Sequence, residues 1–436
     1  MAERRLSQPT GPAPVPVREY AGGVTTAPLT DRLTVRSSRV SGVGELLDLL
    51  PSPRGVLSWV RDGEGLVGWG EVARVTTSGP ERFAAIQDWW SSFAGRLEVH
   101  DEVGLPGSGP VAFTSIGFGD TPGPSVLTVP RVVVGRRDGI TWITEVDGAG
   151  GPERVTPVRA PRGLRYFDGQ LPVTAWREAV DDAVRRMRAR ELNKVVLAHD
   201  LLALADEPLD PRFLLHGLAA RYPSCWAFAV DGLVGATPEL LLRRRGDEVT
   251  SRVLAGTTWP HSGADAAVLA AELMASGKDR DEHRYAVESL ADALRPYCSS
   301  LTLPEGPSVL ELRNVLHLAS EVVGRLDARS APLLALAGAV HPTAAVGGTP
   351  TPSAVRLIDE LEAMDRGRYA GPVGWVDAAG DGELGIALRC AQVQGRAARL
   401  FAGCGLVADS DPDEEVAEAT AKLIPIRDAL EGLDSD

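Results

Sequence analysis

Cysteine is scarce in this chain: four in 436 residues, at Cys225, Cys298, Cys390 and Cys404, with no Cys-x-x-Cys pair. That spacing excludes a disulfide framework and reads as reduced thiols in a cytoplasmic protein. The seven histidines fall into no zinc-binding pattern either. Positive charge is in deficit, with a formal net charge of −14, which argues against nucleic acid or an anionic membrane as partner. No apolar run approaches the roughly 18 residues of a membrane span. The N-terminus, Met1-Ala2-Glu3-Arg4-Arg5 and a Pro-rich stretch, lacks the apolar centre of a secretion signal. What is present is ordinary for a globular protein with a large core: 44% hydrophobic and 24% charged residues. An anionic small molecule stays admissible if a local basic pocket overrides the global field.

Residues 1–30 are rich in Pro, Thr and Gly and are expected to form a disordered lead-in. Residues 31–165 read as mostly β. Asp62-Gly63 and Asp138-Gly139 each separate apolar runs, a hairpin signal, and a helix is expected between Pro80 and Leu97. Residues 166–436 alternate helix and strand. Thr174 is placed to cap a helix carrying Trp176, Val180, Ala183, Val184 and Met187 on one face and ending near Asn193. A second helix follows Lys278, with Val287, Leu290 and Leu294 inward. A last one starts at Ser410-Asp411-Pro412, and Pro425 is expected to kink or end it. No repeat and no long linker divides the chain, so one large α+β unit is expected, with antiparallel sheets packed together and helices outside.

Several residue groups can carry chemistry, and each also has an ordinary structural explanation. Lys194 sits on the apolar run Asn193-Lys194-Val195-Val196-Leu197-Ala198, and Glu239 follows the Thr237-Pro238 turn. A lysine on a hydrophobic strand and a carboxyl at a turn can be tuned oppositely, one as proton acceptor and one as donor; alone, each reads as a strand-edge or turn residue. Asp279 with Glu282, and Glu415 with Glu418, repeat an i, i+3 acidic spacing at two helix starts, and Lys422 continues the second face. Facing each other, such pairs would repel unless a hard cation such as Mg²⁺ joined them. Each is also what a helix dipole favours in a solvated first turn. Arg389 interrupts an apolar strand, which requires an anion nearby, structural or bound. His317 lies on an apolar stretch. Gly403-Cys404-Gly405 reads as tight backbone that can also present N–H groups, and His341-Pro342-Thr343 and Gly347 to Pro350 read as a loop.

Taken in order, these stretches resemble the chorismate-utilising enzymes, which include isochorismate, salicylate, anthranilate and aminodeoxychorismate synthases. The resemblance runs from about Trp176 to the C-terminus. It also covers Leu254-Ala255-Gly256-Thr257, Lys278 to Arg284, Arg366-Gly367-Arg368-Tyr369-Ala370-Gly371 and Phe401 to Leu406; Gly68-Trp69-Gly70-Glu71 fits as well. It implies Lys194 as general base activating water, where ammonia-using members carry glutamine, and Glu239 as general acid. It implies Mg²⁺ held by Glu282 and Glu418 with Asp279 and Glu415 in support. Arg389, Tyr369 and Gly403 are implied on the pyruvyl-carboxylate side of the substrate, and Lys422, Thr257 and His317 on the ring-carboxylate side. Ala255 stands where covalently attacking members have lysine, and the His341–Gly348 loop looks like the version in isochorismate synthases. The resemblance therefore implies a monomeric enzyme that converts chorismate to isochorismate, for menaquinone, a siderophore or another product. A salicylate synthase, or a homologue that only binds chorismate, are the alternatives. His199, Trp259-Pro260 and Ser320 depart from the family pattern, on the substrate side.

Overall fold

Three Asp-Gly turns set the register of one half of the β structure. Asp62/Gly63, Asp138/Gly139 and Asp231/Gly232 all have both residues at positive φ, between 50° and 77°. Two successive left-handed residues match the twist of a tight hairpin, and Asp and Gly tolerate them best. The turns join Leu57–Arg61 to Glu64–Thr77, Ser125–Arg137 to Ile140–Val146, and Trp226–Val230 to Leu233–Thr237. The computed structural model describes residues 32–120, 123–148, 154–258, 265–312, 315–327 and 331–433. The expected lead-in at 1–30 and the Trp259-Pro260 departure lie outside the described residues.

The strands form one hydrogen-bonded network with two limbs. The first runs from Thr34–Val40 through Ile140–Val146, Ser125–Arg137, Glu64–Thr77, Leu57–Arg61, Trp226–Val230, Leu233–Thr237, Cys390–Gln394 and Ala397–Leu406 to Lys194–Leu204. The second leaves Ser125–Arg137 through Val111–Ser115 and continues by Pro372–Asp377, Gly382–Ile386, Leu240–Arg245 and Glu248–Thr258 to Val315–Leu326. The limbs diverge where the two long strands are kinked: a register shift falls between Glu71 and Ala73, opposite Pro130, beside Gly70 at φ 67°. A bulge of this kind bends the strand that carries it. All these pairings are antiparallel; Thr34–Ser37 beside Glu98–Asp101 is parallel. Strands from residues 31–165 thus pair directly with strands from the later region, at Ser58–Val60 and at Val111–Ser115.

Eight helices are present among the described residues, and they pack on the strands. The expected one near Pro80 spans Arg82–Ala94. Val173–Arg188 buries Trp176, Val180, Ala183, Val184 and Met187 as its periodicity requires, but its cap is Pro172, and Thr174 lies inside it with no capping role. It stops at Arg188, five residues before Asn193, and Arg190 turns the chain at φ 63°. Gly277–Leu294 is capped by Ser276, whose side chain accepts from Asp279 N; Leu290 and Leu294 are buried, and Val287 packs half-buried against the core. Pro412–Glu431 is capped by Asp411, with Pro412 in its first turn. That helix continues past Pro425 to Glu431 instead of ending there. Pro425 is buried in the last helix, where packing against Pro211–Arg221 outweighs one lost hydrogen bond.

Candidate active site

Lys194 opens the strand Lys194–Leu204, and its side chain is fully buried. Its ammonium lies 3.1 Å from Glu282 Oε1, on the first half of helix Gly277–Leu294. Glu282 Oε2 accepts from Gly256 N at 3.2 Å. This approach depends on glycine at position 405: a Cβ there would stand 2.1 Å from Glu282 Oε1. Burial alone would raise the Glu282 pKa, but Lys194, Lys422 and Lys278 together hold it below the ordinary value.

The pattern repeats twice. Lys278 Nζ donates to Glu415 Oε1 at 3.2 Å, and Lys422 Nζ lies 2.6 Å from Glu418 Oε1. Lys422 also donates to Gly403 O at 2.9 Å. Three of the four expected acidic ligands therefore each carry a lysine. The fourth, Asp279, accepts from Thr257 N and is also hydrogen-bonded by the Ser276 side chain; burial, then Glu282, raises its pKa above the ordinary value. Among the described residues, the ligand atoms that approach one another within 4.8 Å belong to Cys404, Glu415 and Glu418. Glu282 and Asp279 border this group without joining it. Lys278 and Cys404 lie within the sequence motifs, but their part depends on side-chain direction, which spacing does not report.

Glu239 sits between strands Leu233–Thr237 and Leu240–Arg245, buried at 4% exposure. Burial raises its pKa to about 8, against the pull of the Leu254 amide and of the Lys194 and Arg389 charges. Burial thus favours its neutral, protonated form near pH 7. Arg389 does not interrupt a strand. It occupies the bend between Gly382–Ile386 and Cys390–Gln394 at φ 46°, because the chain turns there from one limb to the other. Its Nη2 donates to His317 Nε2 at 2.7 Å, and its buried Nη1 has no hydrogen-bond partner among the described residues. The Cys225 thiol and Tyr222 lie behind it. His317 Nδ1 meets Thr257 Oγ1 at 3.1 Å, and burial, then Arg389 and Lys422, hold its pKa well below the ordinary value. Both ring nitrogens of His317 are thus engaged by protein. Tyr369 stacks on Phe401 with ring centroids 5.0 Å apart, and its hydroxyl approaches Gly403.

Glu239, Thr257, Glu282, His317, Tyr369, Arg389, Gly403, Glu418 and Lys422 line one cleft of about 100 Å³. Arg366, for which no role was read, lines it too; it pairs with Glu362 and donates to Val196 O and Val346 O, fixing the cleft floor. A larger cavity of about 700 Å³ lies between Pro211–Arg221 and residues 155–158, but only His216, Asp48 and Arg221 bring charge to it, and size without converging polar groups is not a site. His199 and Ser320 do not line the cleft. His199 packs on Trp176, with ring centroids 5.1 Å apart, and Ser320 bonds His283 Nε2 at 2.8 Å. The loop histidine His341 bonds Phe118 O at 2.9 Å and packs between Phe83 and Phe118.

Residues 160–431 match the family described as chorismate binding enzyme. The chain belongs to the chorismate-binding enzymes. Among relatives of this family, a Mycobacterium tuberculosis protein provisionally named isochorismate synthase MenF is 39% identical over 348 residues, covering 74% of this chain and 87% of that protein. Isochorismate synthase DhbC of Bacillus subtilis is 40% identical over 261 residues, covering 57% of this chain and 65% of its own length. The crystal structure of DhbC from Bacillus anthracis, provisionally named a 2,3-dihydroxybenzoate-specific isochorismate synthase, superposes with a TM-score of 0.74 at 30% identity, over 89% of this chain and 99% of that one. The fold of this family is the expected α+β arrangement of antiparallel sheet with helices outside it. Among the described residues, no helix is long and apolar enough to cross a membrane.

Proposed function

We propose that this protein is an isochorismate synthase, converting chorismate to isochorismate by adding water at C2 and expelling the C4 hydroxyl. The observation that carries the reading is Glu239, a buried carboxyl whose pKa is pushed up to about 8 within the field of Lys194. Hydroxide is a poor leaving group, so its departure needs a proton in place at neutral pH, and Glu239 holds one. Lys194, fully buried beside Glu282, takes the proton of the attacking water as general base. Arg389 Nη1, buried and with no hydrogen-bond partner among the described residues, is proposed to receive the pyruvyl carboxylate, with Tyr369 and Gly403 beside it. Lys422 and Thr257 face the ring carboxylate, and His317 supports them from behind.

Glu415 and Glu418, which offer carboxylate oxygens within 4.8 Å of each other, would hold a hard divalent cation, with Glu282 and Asp279 as the further donors proposed, and Glu415 Oε2, buried and with no hydrogen-bond partner among the described residues, is an acceptor such an ion would satisfy. Mg²⁺ bound there would neutralise the ring carboxylate and fix its orientation. Similar proteins include a menaquinone-specific and a vibriobactin-specific isochorismate synthase, and the proposed reaction is the same in either setting. A cytoplasmic monomer without nucleic-acid or membrane partners completes the proposal.

The test is turnover of chorismate by purified protein with and without Mg²⁺, products separated chromatographically. Isochorismate formed only with Mg²⁺ is expected. Salicylate and pyruvate as the accumulating products would assign a salicylate synthase instead, and binding of chorismate without turnover would make this a non-catalytic homologue. Lys194→Ala is expected to lower kcat by about 10²–10⁴-fold while Mg²⁺ binding persists; unchanged kcat defeats the assignment of the base.

A further inference from the structure

Strand alternation along Ala397–Leu406 turns Gly403 and Gly405 toward the cleft and Cys404 the other way, toward helix Pro412–Glu431. There Cys404 Sγ lies 3.4 Å from the Glu415 carbonyl oxygen, and Cys404 has no exposure to solvent. The Cys404 sulfur and one oxygen each of Glu415 and Glu418 all fall within 4.8 Å of one another. Lys278 occupies Oε1 of Glu415 and Lys422 occupies Oε1 of Glu418, which leaves the second oxygen of each for a cation. The Glu415 side chain is 2% exposed, and its Oε2 has no hydrogen-bond partner among the described residues. A desolvated carboxylate oxygen left without a partner is costly, and an ion bound among these donors would relieve that cost.

Two carboxylates alone suit a hard ion. Sulfur beside them changes the class of ion, because thiolate prefers zinc and its heavier congener to magnesium. Zn–S near 2.3 Å and Zn–O near 2.0–2.2 Å set donor atoms roughly 3–4 Å apart in a tetrahedral site, a small contraction from the present spacing. We propose that Cys404, Glu415 and Glu418 form a binding site for a thiophilic divalent cation, Zn²⁺ or Cd²⁺. The metal–sulfur bond forms as the thiol proton leaves to solvent; no redox change is involved. Because two of these carboxylates are also read as Mg²⁺ ligands, the thiophilic ion excludes Mg²⁺ and stops turnover. That inhibitory consequence rests on the isochorismate synthase reading, whereas the binding itself does not.

The experiment is titration of metal-free full-length protein with Cd²⁺, read by the ultraviolet sulfur-to-cadmium charge-transfer band. One saturable band per chain is expected. It should disappear in Cys404→Ala and in Cys404→Ser, which keeps the side-chain size, and persist in the single alanine variants of Cys225, Cys298 and Cys390. Glu415→Gln should weaken Cd²⁺ binding by about tenfold or more. Absence of the band in the unmodified protein, or its survival in a folded Cys404→Ser, overturns the proposal whatever the fate of chorismate. Zn²⁺ that inhibits the unmodified protein in competition with Mg²⁺, and Cys404→Ser much less, extends the result to function.

Discussion

Arg389 donates to His317 Nε2 across 2.7 Å, and this contact fixes the chemical state of both residues. A guanidinium has only donors, so the imidazole accepts at Nε2 and carries its proton on Nδ1, toward Thr257 Oγ1. His317 is therefore a positioning residue: it holds the arginine from one side and orients the threonine hydroxyl on the other.

Removing that acceptor should loosen Arg389 without touching proton transfer. His317→Ala is expected to raise KM for chorismate about 10–100-fold with a smaller loss in kcat, the scale of one charge-assisted hydrogen bond. His317→Gln, whose amide oxygen can accept from Arg389, should recover much of the loss. Equal effects of both variants on kcat alone would place His317 in the chemistry instead.

Arg389 itself is a stricter case. Arg389→Lys keeps the charge but loses the planar fork, so KM should rise by roughly 10². An Arg389→Lys enzyme with ordinary KM, measured by initial rates at saturating Mg²⁺, would mean that the pyruvyl carboxylate binds elsewhere.

The acid gives a pH prediction. Glu239 is protonated below about pH 8, so kcat should fall as pH rises through that region. The same shift has a stability sign. The folded pKa lies above the unfolded value, so the folded state keeps a proton that the unfolded chain has released. Stability is then lost progressively from about pH 4.5 to about pH 8. Glu239→Gln removes this term. It should lower kcat by ~10³-fold and raise stability by roughly 2–4 kcal/mol at pH 8 but little at pH 4. Denaturation at both pH values, beside a rate assay, checks the pair of effects.

Gly405 makes the closest steric prediction. A Cβ at 405 would overlap Glu282 Oε1 at 2.1 Å and crowd Lys194 Cε at 3.3 Å. Gly405→Ala should displace Glu282 from Lys194, weaken Mg²⁺ binding measured by calorimetry, and cost about 10²-fold or more in turnover. A shift of either side chain that leaves both functions intact would show the contact to be slack.

Much of this was legible in the residues and some was not. Asp-Gly pairs announced hairpins because their conformational need is local, and the face of Val173–Arg188 was readable because helical period and burial coincide. Of the residues grouped by resemblance, Glu239, Thr257, Glu282, His317, Tyr369, Arg389, Gly403, Glu418 and Lys422 line one cleft, whereas Lys194, Asp279 and Glu415 are not part of its lining. What sequence could not report was direction and pairing. Lys278 on Glu415, Lys194 on Glu282 and the turning of Cys404 away from the cleft follow from how distant elements meet. Thr174 is not the cap its sequence position suggests, because Pro172 already fixes the helix entry, and Arg389 lies at a bend and not on a strand, because apolar neighbours do not mark a bend.

The interleaving of the two limbs bears on how the polypeptide can be made. Leu57–Arg61 has its outer edge covered by Trp226–Val230, and Val111–Ser115 by Pro372–Asp377. On the ribosome, the early strands must wait with bare edges until segments more than 150 residues downstream emerge, as the spacing of 169 between Ser58 and Ala227 requires. Open edges of this kind invite pairing with a neighbouring nascent chain, so expression yield should respond to translation speed and to chaperone supply more than to the finished enzyme's own stability.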